Sequence, residues 1–224
     1  MTQAYQQHGW IFDLDGTLVD SLPGIAGSLN RALVACGRSA YSSGEVRSFI
    51  GDGVVILIQR ATPDASDDER QIILHRFRDD YAQRWSEGTE VYEGIHELLH
   101  LLKKQGARLA VLSNKPHAFT VEIVELLFPE MFDPIIGQRH GIPHKPDPAG
   151  LQEILDQWKL PAKACLLLGD STMDLQTAQA LGVKAVAATW GYHDCDTLQQ
   201  LRPDYIFANP AELVQHCADG NYFA

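Results

Sequence analysis

Basic residues are scarce in this chain: 18 Lys and Arg stand against 29 Asp and Glu, a formal charge of -11. A surface of that sign repels nucleic-acid backbones and anionic lipid headgroups, so neither is expected as a partner. No run of 18 apolar residues occurs, and Met1 to Trp10 lack the basic start and apolar stretch of an export signal. Cysteine is sparse as well: Cys36, Cys165, Cys195 and Cys217 lie far apart and form no Cys-x-x-Cys pair. Reduced thiols in a cytoplasmic protein are the expectation. Low-complexity tracts and internal repeats are missing, and 45% hydrophobic with 21% charged residues is an ordinary globular composition. At 224 residues the chain suits one globular unit carrying a sizeable insertion, as monomer or homodimer.

What is present is an alternation. Short apolar or β-branched runs read as strands at Trp10 to Leu14, Leu109 to Leu112, Pro134 to Gly137, Cys165 to Leu168 and Val183 to Ala187, with a weaker one at Tyr205 to Phe207. Helical spacing fills the gaps: Ile95, Leu98 and Leu102; Val121, Val124 and Phe128; Leu151, Ile154, Leu155 and Trp158; Leu175, Ala178 and Leu181. Gly106 and Gly182 end the first and last of these. Strands alternating with helices imply an α/β fold whose parallel sheet is covered on both faces.

Residues 18–91 break the pattern and read as helices only, carried by Ile25, Leu29 and Leu33, then Val54, Leu57, Ile58 and Ala61, then Ile73, Phe77, Tyr81 and Trp85. Ser21 before Pro23, and Ser66 before Asp67, Asp68 and Glu69, are helix-start signals. The expected organisation is an α/β core of residues 1–17 and 92–224 with a helical cap of residues 18–91 on two linkers, near Leu18 to Ser21 and Glu87 to Tyr92.

Ligands of open parallel sheets gather at the C-terminal ends of the strands. Those ends carry Asp13-Leu14-Asp15-Gly16-Thr17, Ser113-Asn114-Lys115, Lys145 among prolines, and Gly169-Asp170 with Asp174 four residues on. Singly, each has a plain reading: Asp15-Gly16 as a turn, Asp170 or Ser171 as a helix cap, Lys145 as surface loop. Together, carboxylates converging on one sheet edge would repel one another unless a divalent cation sat among them, and an all-oxygen donor set suits Mg²⁺. With Ser, Asn and Lys donors alongside, such a site suits phosphoryl transfer on a small phosphate ester.

The motifs resemble those of the haloacid dehalogenase-like phosphatases: Phe12-Asp13-Leu14-Asp15-Gly16-Thr17-Leu18-Val19-Asp20-Ser21, Val111-Leu112-Ser113-Asn114-Lys115-Pro116, Lys145-Pro146-Asp147-Pro148 and Leu168-Gly169-Asp170-Ser171-Thr172-Met173-Asp174, in that order, with the insert after the first. The resemblance implies a Rossmann-like core with an inserted helical cap. It implies Asp13 as nucleophile, Asp15 as the acid that serves the leaving oxygen, and Mg²⁺ held by Asp13, the Asp15 carbonyl and Asp170, helped by Asp174. It implies that Ser113 and amides near Asn114 bind the phosphoryl group, that Lys145 pairs with Asp13 and phosphate, and that Thr17 supports Asp15.

A second aspartate favours phosphate esters over haloacids, because an alkoxide leaving group needs a proton and a halide does not. No Lys occurs between Met1 and Glu90, which disfavours phosphonate cleavage and weakens a β-phosphoglucomutase-like reading. Phe49-Ile50-Gly51-Asp52-Gly53, Ser113-Asn114-Lys115-Pro116 and Trp190-Gly191-Tyr192 look most like phosphoglycolate phosphatases. Gly51, Asp52 and Gly53 are candidates to start a cap helix aimed at the substrate anion, and Arg47 or Lys115 to meet its carboxylate. Sugar phosphates, pyrophosphate and nucleotides are the other substrate classes of such enzymes. A phosphorylatable receiver-like switch is the non-enzyme alternative. It requires neither a second aspartate nor a cap.

Overall fold

The computed structural model describes residues 8–219. The extreme ends assigned to the core, and most of the segment read as lacking an export signal, lie outside the described residues. Along the chain run β1 (Gly9–Phe12), β2 (Val19–Asp20), α1 (Leu22–Ala35), α2 (Ser43–Arg47), α3 (Val54–Ala61), α4 (Asp67–Arg84) and β3 (Glu90–Val91). They are followed by α5 (Ile95–Lys104), β4 (Arg108–Pro116), α6 (His117–Leu127), β5 (Ile135–Gln138), α7 (Ala149–Trp158), β6 (Cys165–Gly169), α8 (Thr172–Leu181), β7 (Lys184–Ala188), α9 (Cys195–Gln200), β8 (Tyr205–Phe207) and α10 (Pro210–Ala218).

Six strands form one sheet in the order β5-β4-β1-β6-β7-β8, with every neighbouring pair parallel. The central strands Gly-Trp-Ile-Phe and Cys-Leu-Leu-Leu-Gly are buried throughout, as strands covered on both faces must be. The pleat then sorts their side chains into two cores. Phe12, Val111, Leu168 and Val186 join α5 and α10 on one face, whereas Ile11, Ala110, Leu167 and Ala185 join α7 and α8 on the other. The helices follow the expected spacing: Ile95, Leu98, Leu99 and Leu102 make the buried face of α5, and Gly182, at φ 68°, ends α8.

Helices α1 to α4 fall between β2 and β3 and pack α1 on α4, α1 on α2 and α3 on α4. Two features differ from expectation. The insert has four helices rather than three, because α2 is a five-residue helix held by a Ser42–Glu45 capping box and is too short to show a period. The two linkers pair with each other, Val19 opposite Val91 and Asp20 opposite Glu90, in an antiparallel ribbon. Ser66 caps α4 as expected, but Ser21 at the start of α1 makes no side-chain cap bond. Helices α9 and α10 carry no anticipated pattern, although Asn209 followed by Pro210 is a helix start.

Leu167 is fully buried in β6. Leu167→Ala should lower the unfolding free energy by about 2–5 kcal/mol. Val34→Ala on the exposed face of α1 should stay within about 0.5 kcal/mol, both read by urea denaturation.

Candidate active site

Asp13 is the first residue past β1, and its amide still donates to Leu168 O at 2.9 Å, so the sheet delivers its carboxylate to the strand end. The chain then turns tightly, with Leu18 N and Val19 N both donating to Leu14 O. Gly16 is required there: its φ is +85°, and a Cβ would fall 2.3 Å from Asp170 Oδ2. Ser113, Asn114 and Lys115 lie within β4, which continues to Pro116 through a register shift after Leu112. Ser171 caps α8 in a reciprocal box with Asp174, which leaves Asp170 free of that duty.

Lys145 Nζ, buried, sits 2.8 Å from Asp13 Oδ1, 2.5 Å from Asp174 Oδ1 and 2.9 Å from Leu112 O. Asp170 accepts from Thr17 Oγ1 at 3.1 Å and from Tyr192 N at 2.7 Å. Asp174 Oδ2 accepts from Ser171 N and Ser171 Oγ at 3.1 and 2.5 Å. Oxygens of Asp13, Asp170 and Asp174 all lie within 4.8 Å of one another. Burial pushes the Asp13 carboxyl up to about 7 against the pull of Lys145, with Asp174 adding to the rise. Burial, then Asp13 and Asp174, raise Asp170 as well. Burial works against the Lys145 ammonium, but Asp13 and Asp174 outweigh it and hold it charged.

Three buried carboxylates against one ammonium leave an excess of negative charge that a divalent cation would balance, and oxygen donors suit a hard ion such as Mg²⁺. The residues present therefore fit a cation. The Asp15 carboxylate is outside that cluster. It accepts from Ser21 Oγ at 2.6 Å and pairs with Lys115 Nζ at 2.9 and 3.1 Å, while the Lys115 ammonium lies 4.8 Å from the centre of the Tyr81 ring.

One cavity is lined by Asp13, Asp15, Ser113, Lys115, Lys145 and Asp170, and its other wall is apolar, with Ile25, Leu57, Phe77 and Tyr81 from the cap and Phe119 from α6. Gly51 and Gly53 border it, the latter at the N-terminus of α3.

Several expected contacts fall elsewhere. Arg47 does not reach the cavity; it donates to the carbonyls of Tyr192 and Gly191. Asp52 pairs with Arg60 at 2.5 Å. Thr17 serves Asp170 rather than Asp15. Asn114 is engaged as a strut, donating to Gly51 O and Lys145 O and accepting from Lys145 N. Lys115 does line the cavity, but its ammonium is paired with Asp15.

The family model of the haloacid dehalogenase-like hydrolases matches residues 10–188. The chain belongs to that family. Among relatives, it is 35% identical to the phosphoglycolate phosphatase of Pectobacterium atrosepticum over 221 residues, covering 95% of this chain and 94% of the relative. It is 34% identical to that of Pseudomonas savastanoi pv. phaseolicola, covering 93% and 79%. The crystal structure of a predicted phosphoglycolate phosphatase from Haemophilus somnus superposes with a TM-score of 0.88 at 31% identity, covering 93% of this chain and 97% of that one. This haloacid dehalogenase-like hydrolase is a phosphatase.

Sequence reading passed over several cavity residues of the hydrolase. Arg78 on α4 lines the cavity at an exposed position and has no hydrogen bond or ion pair among the described residues. Phe77, next to it, carries the spacing of a core position and nothing more in the sequence. Tyr192 belongs to the Trp190-Gly191-Tyr192 run, and nothing in that run signals its amide on Asp170 or its hydroxyl, which accepts from Ser21 N at 2.8 Å. No periodicity marks a residue that works through its backbone.

The raised Asp13 carboxyl makes a pH prediction. The folded protein keeps a proton that the unfolded chain releases near 3.8. The contribution is complete below that value and is lost as pH rises through about 7. Urea denaturation in EDTA should show stability falling between about pH 4 and 7, and Asp13→Asn should flatten part of that slope.

Proposed function

We propose that this phosphatase hydrolyses 2-phosphoglycolate through an aspartyl-phosphate on Asp13, with Mg²⁺ held by Asp13, the backbone carbonyl of Asp15 and Asp170. The observation that carries the reading is that Asp13, Lys145 and Asp170 face one cavity with Asp15, in a chain similar along nearly its whole length to phosphoglycolate phosphatases.

When bound, the cation neutralises phosphoryl oxygens and the carboxylates around them. Lys145 shares that task and holds Asp13 in place. An Asp13 oxygen attacks phosphorus as the bond to the leaving oxygen breaks, and Asp15 gives its proton to that oxygen, releasing glycolate. The Asp15 carboxylate then takes a proton from water, whose oxygen attacks phosphorus, frees Asp13 and releases inorganic phosphate. Ser113, on the same cavity wall, donates its hydroxyl to the transferring group.

The apolar wall favours a small ester over a sugar phosphate, whose hydroxyls would lose water without finding partners. Arg78, an unpaired cap cation that lines the cavity, meets the substrate carboxylate at the cavity lip. Asp174 has both oxygens engaged by Lys145 and Ser171, which suits orienting its neighbours.

A panel of phosphate monoesters assayed with Mg²⁺ tests the reading. The highest kcat/KM should fall on 2-phosphoglycolate, and faster turnover of a sugar phosphate or of pyrophosphate would overturn it. Asp13→Asn should abolish turnover. Arg78→Ala should raise KM for 2-phosphoglycolate about 10-fold, some 1.4 kcal/mol, and leave KM for 2-hydroxyethyl phosphate unchanged.

A further inference from the structure

Arg47 ends α2 on the cap, yet its guanidinium reaches across to the loop after β7, with Nε donating to Tyr192 O at 2.7 Å and Nη2 to Gly191 O at 3.0 Å. Two successive carbonyls accept from one planar fork, a geometry an ammonium cannot copy. The peptide group that offers the Gly191 carbonyl also carries the Tyr192 amide. On its far side that amide donates to Asp170 Oδ2 at 2.7 Å. A cap cation and a carboxylate of the acid cluster are thus joined through a single peptide plane, and the positive charge at its oxygen polarises the N–H toward Asp170.

The loop is pressed against Asp170 from several sides. A Cβ on Gly191 would lie 2.3 Å from both Asp170 Cβ and Gly16 O, so the backbone has no room for a side chain. Trp190 Nε1 donates to Thr17 O at 3.1 Å, and the Tyr192 hydroxyl meets Ser21 and Asp20. Arg47 is the contact that comes from the cap helices. All the others come from the core or from the linker.

We infer that Arg47 is a positioning residue: clasped on Gly191 and Tyr192, it holds the Tyr192 amide on Asp170 and so sets how tightly the acid cluster takes its divalent cation when the cap is docked. The inference rests on the reading of Asp170 as a cation ligand. Outer partners of metal ligands typically change affinity 10–100-fold when removed.

The experiment is titration calorimetry of Mg²⁺ into the full chain without substrate, for wild type, Arg47→Ala, Arg47→Lys and Arg60→Ala. Arg47→Ala should weaken Mg²⁺ binding about 10-fold, Arg47→Lys should fall between it and wild type, and Arg60→Ala, which breaks the pair with Asp52 and the bond to Phe49 O but no contact of the loop that holds Asp170, should bind as wild type does. At saturating Mg²⁺, kcat and KM for the ester should stay within about twofold of wild type. If Arg47→Ala does not fold, as judged by circular dichroism, the lysine variant carries the test. Unchanged Mg²⁺ affinity in a folded Arg47 variant overturns the inference, and a raised ester KM beside it would make Arg47 a substrate contact. If wild type binds no Mg²⁺, the cation reading fails and this inference falls with it.

Discussion

Three carboxylates share a buried strand-end site with a single ammonium, and much of the surrounding structure is explained by what that arrangement needs. Burial first, and neighbouring carboxylates second, raise the proton affinity of Asp13 and Asp170. Such a cluster survives folding only if every oxygen is oriented and most of them are hydrogen-bonded. That requirement explains why Ser171 and its amide both serve Asp174, and why Thr17 and the Tyr192 amide both serve Asp170. Gly16 gives the turn the space to come down on that carboxylate. The sheet supplies rigidity, since β1 and β6 are neighbours and place Asp13 and Asp170 side by side at their C-terminal ends.

The α/β alternation was legible because buried parallel strands are nearly continuous apolar runs, and Ile11, Leu166, Leu167 and Leu168 leave little room for another reading. The clustering of Asp13, Lys145, Asp170 and Asp174 was legible for a different reason: Asp13 and Asp170 stand at the ends of such runs, with Asp174 four residues beyond and Lys145 in the loop that follows β5, and topology brings those ends together. What eluded the sequence was aim. Thr17, Asn114 and Arg47 are residue types that bind phosphate or carboxylate as readily as they brace a backbone. Only the fold reveals that Thr17 turns to Asp170, Asn114 to the Lys145 backbone and Arg47 to two carbonyls. The pairing of β2 with β3 was hidden too, because two residues on each side carry no period.

Electrostatics divides the molecule into two kinds of surface. The core side of the cavity is crowded with charge and committed to it, with Lys145 locked between Asp13 and Asp174, and Lys115 between Asp15 and Tyr81. Burial opposes the charge on both lysines, and their carboxylate neighbours more than restore it. The cap side contributes Ile25, Leu57, Phe77 and Tyr81, with Arg78 at the lip, so that wall is mostly apolar and offers few hydrogen bonds to a polyhydroxylated group. In the proposed reaction the first surface handles phosphate whatever it is attached to, and the second judges the remainder.

That division assigns the cap a physical task that a lid of any other composition would perform less well. An apolar wall over the acid cluster lowers the local dielectric, so each ion pair beneath it strengthens and each unpaired charge becomes costlier. Cap position and charge balance are therefore one problem. The structure couples them by contacts that cross between the two parts: Asn114 on the Gly51 carbonyl, Trp85 Nε1 on Glu122 at 2.9 Å, and Arg47 on the loop that holds Asp170. The ribbon of β2 and β3 ties the two crossings of the chain to each other, and Ser21 at its end bonds both Asp15 and Tyr192. A displacement of the cap would thus be felt by Asp15 through Ser21, by Asp170 through Arg47 and the Tyr192 amide, and by Lys145 through Asn114.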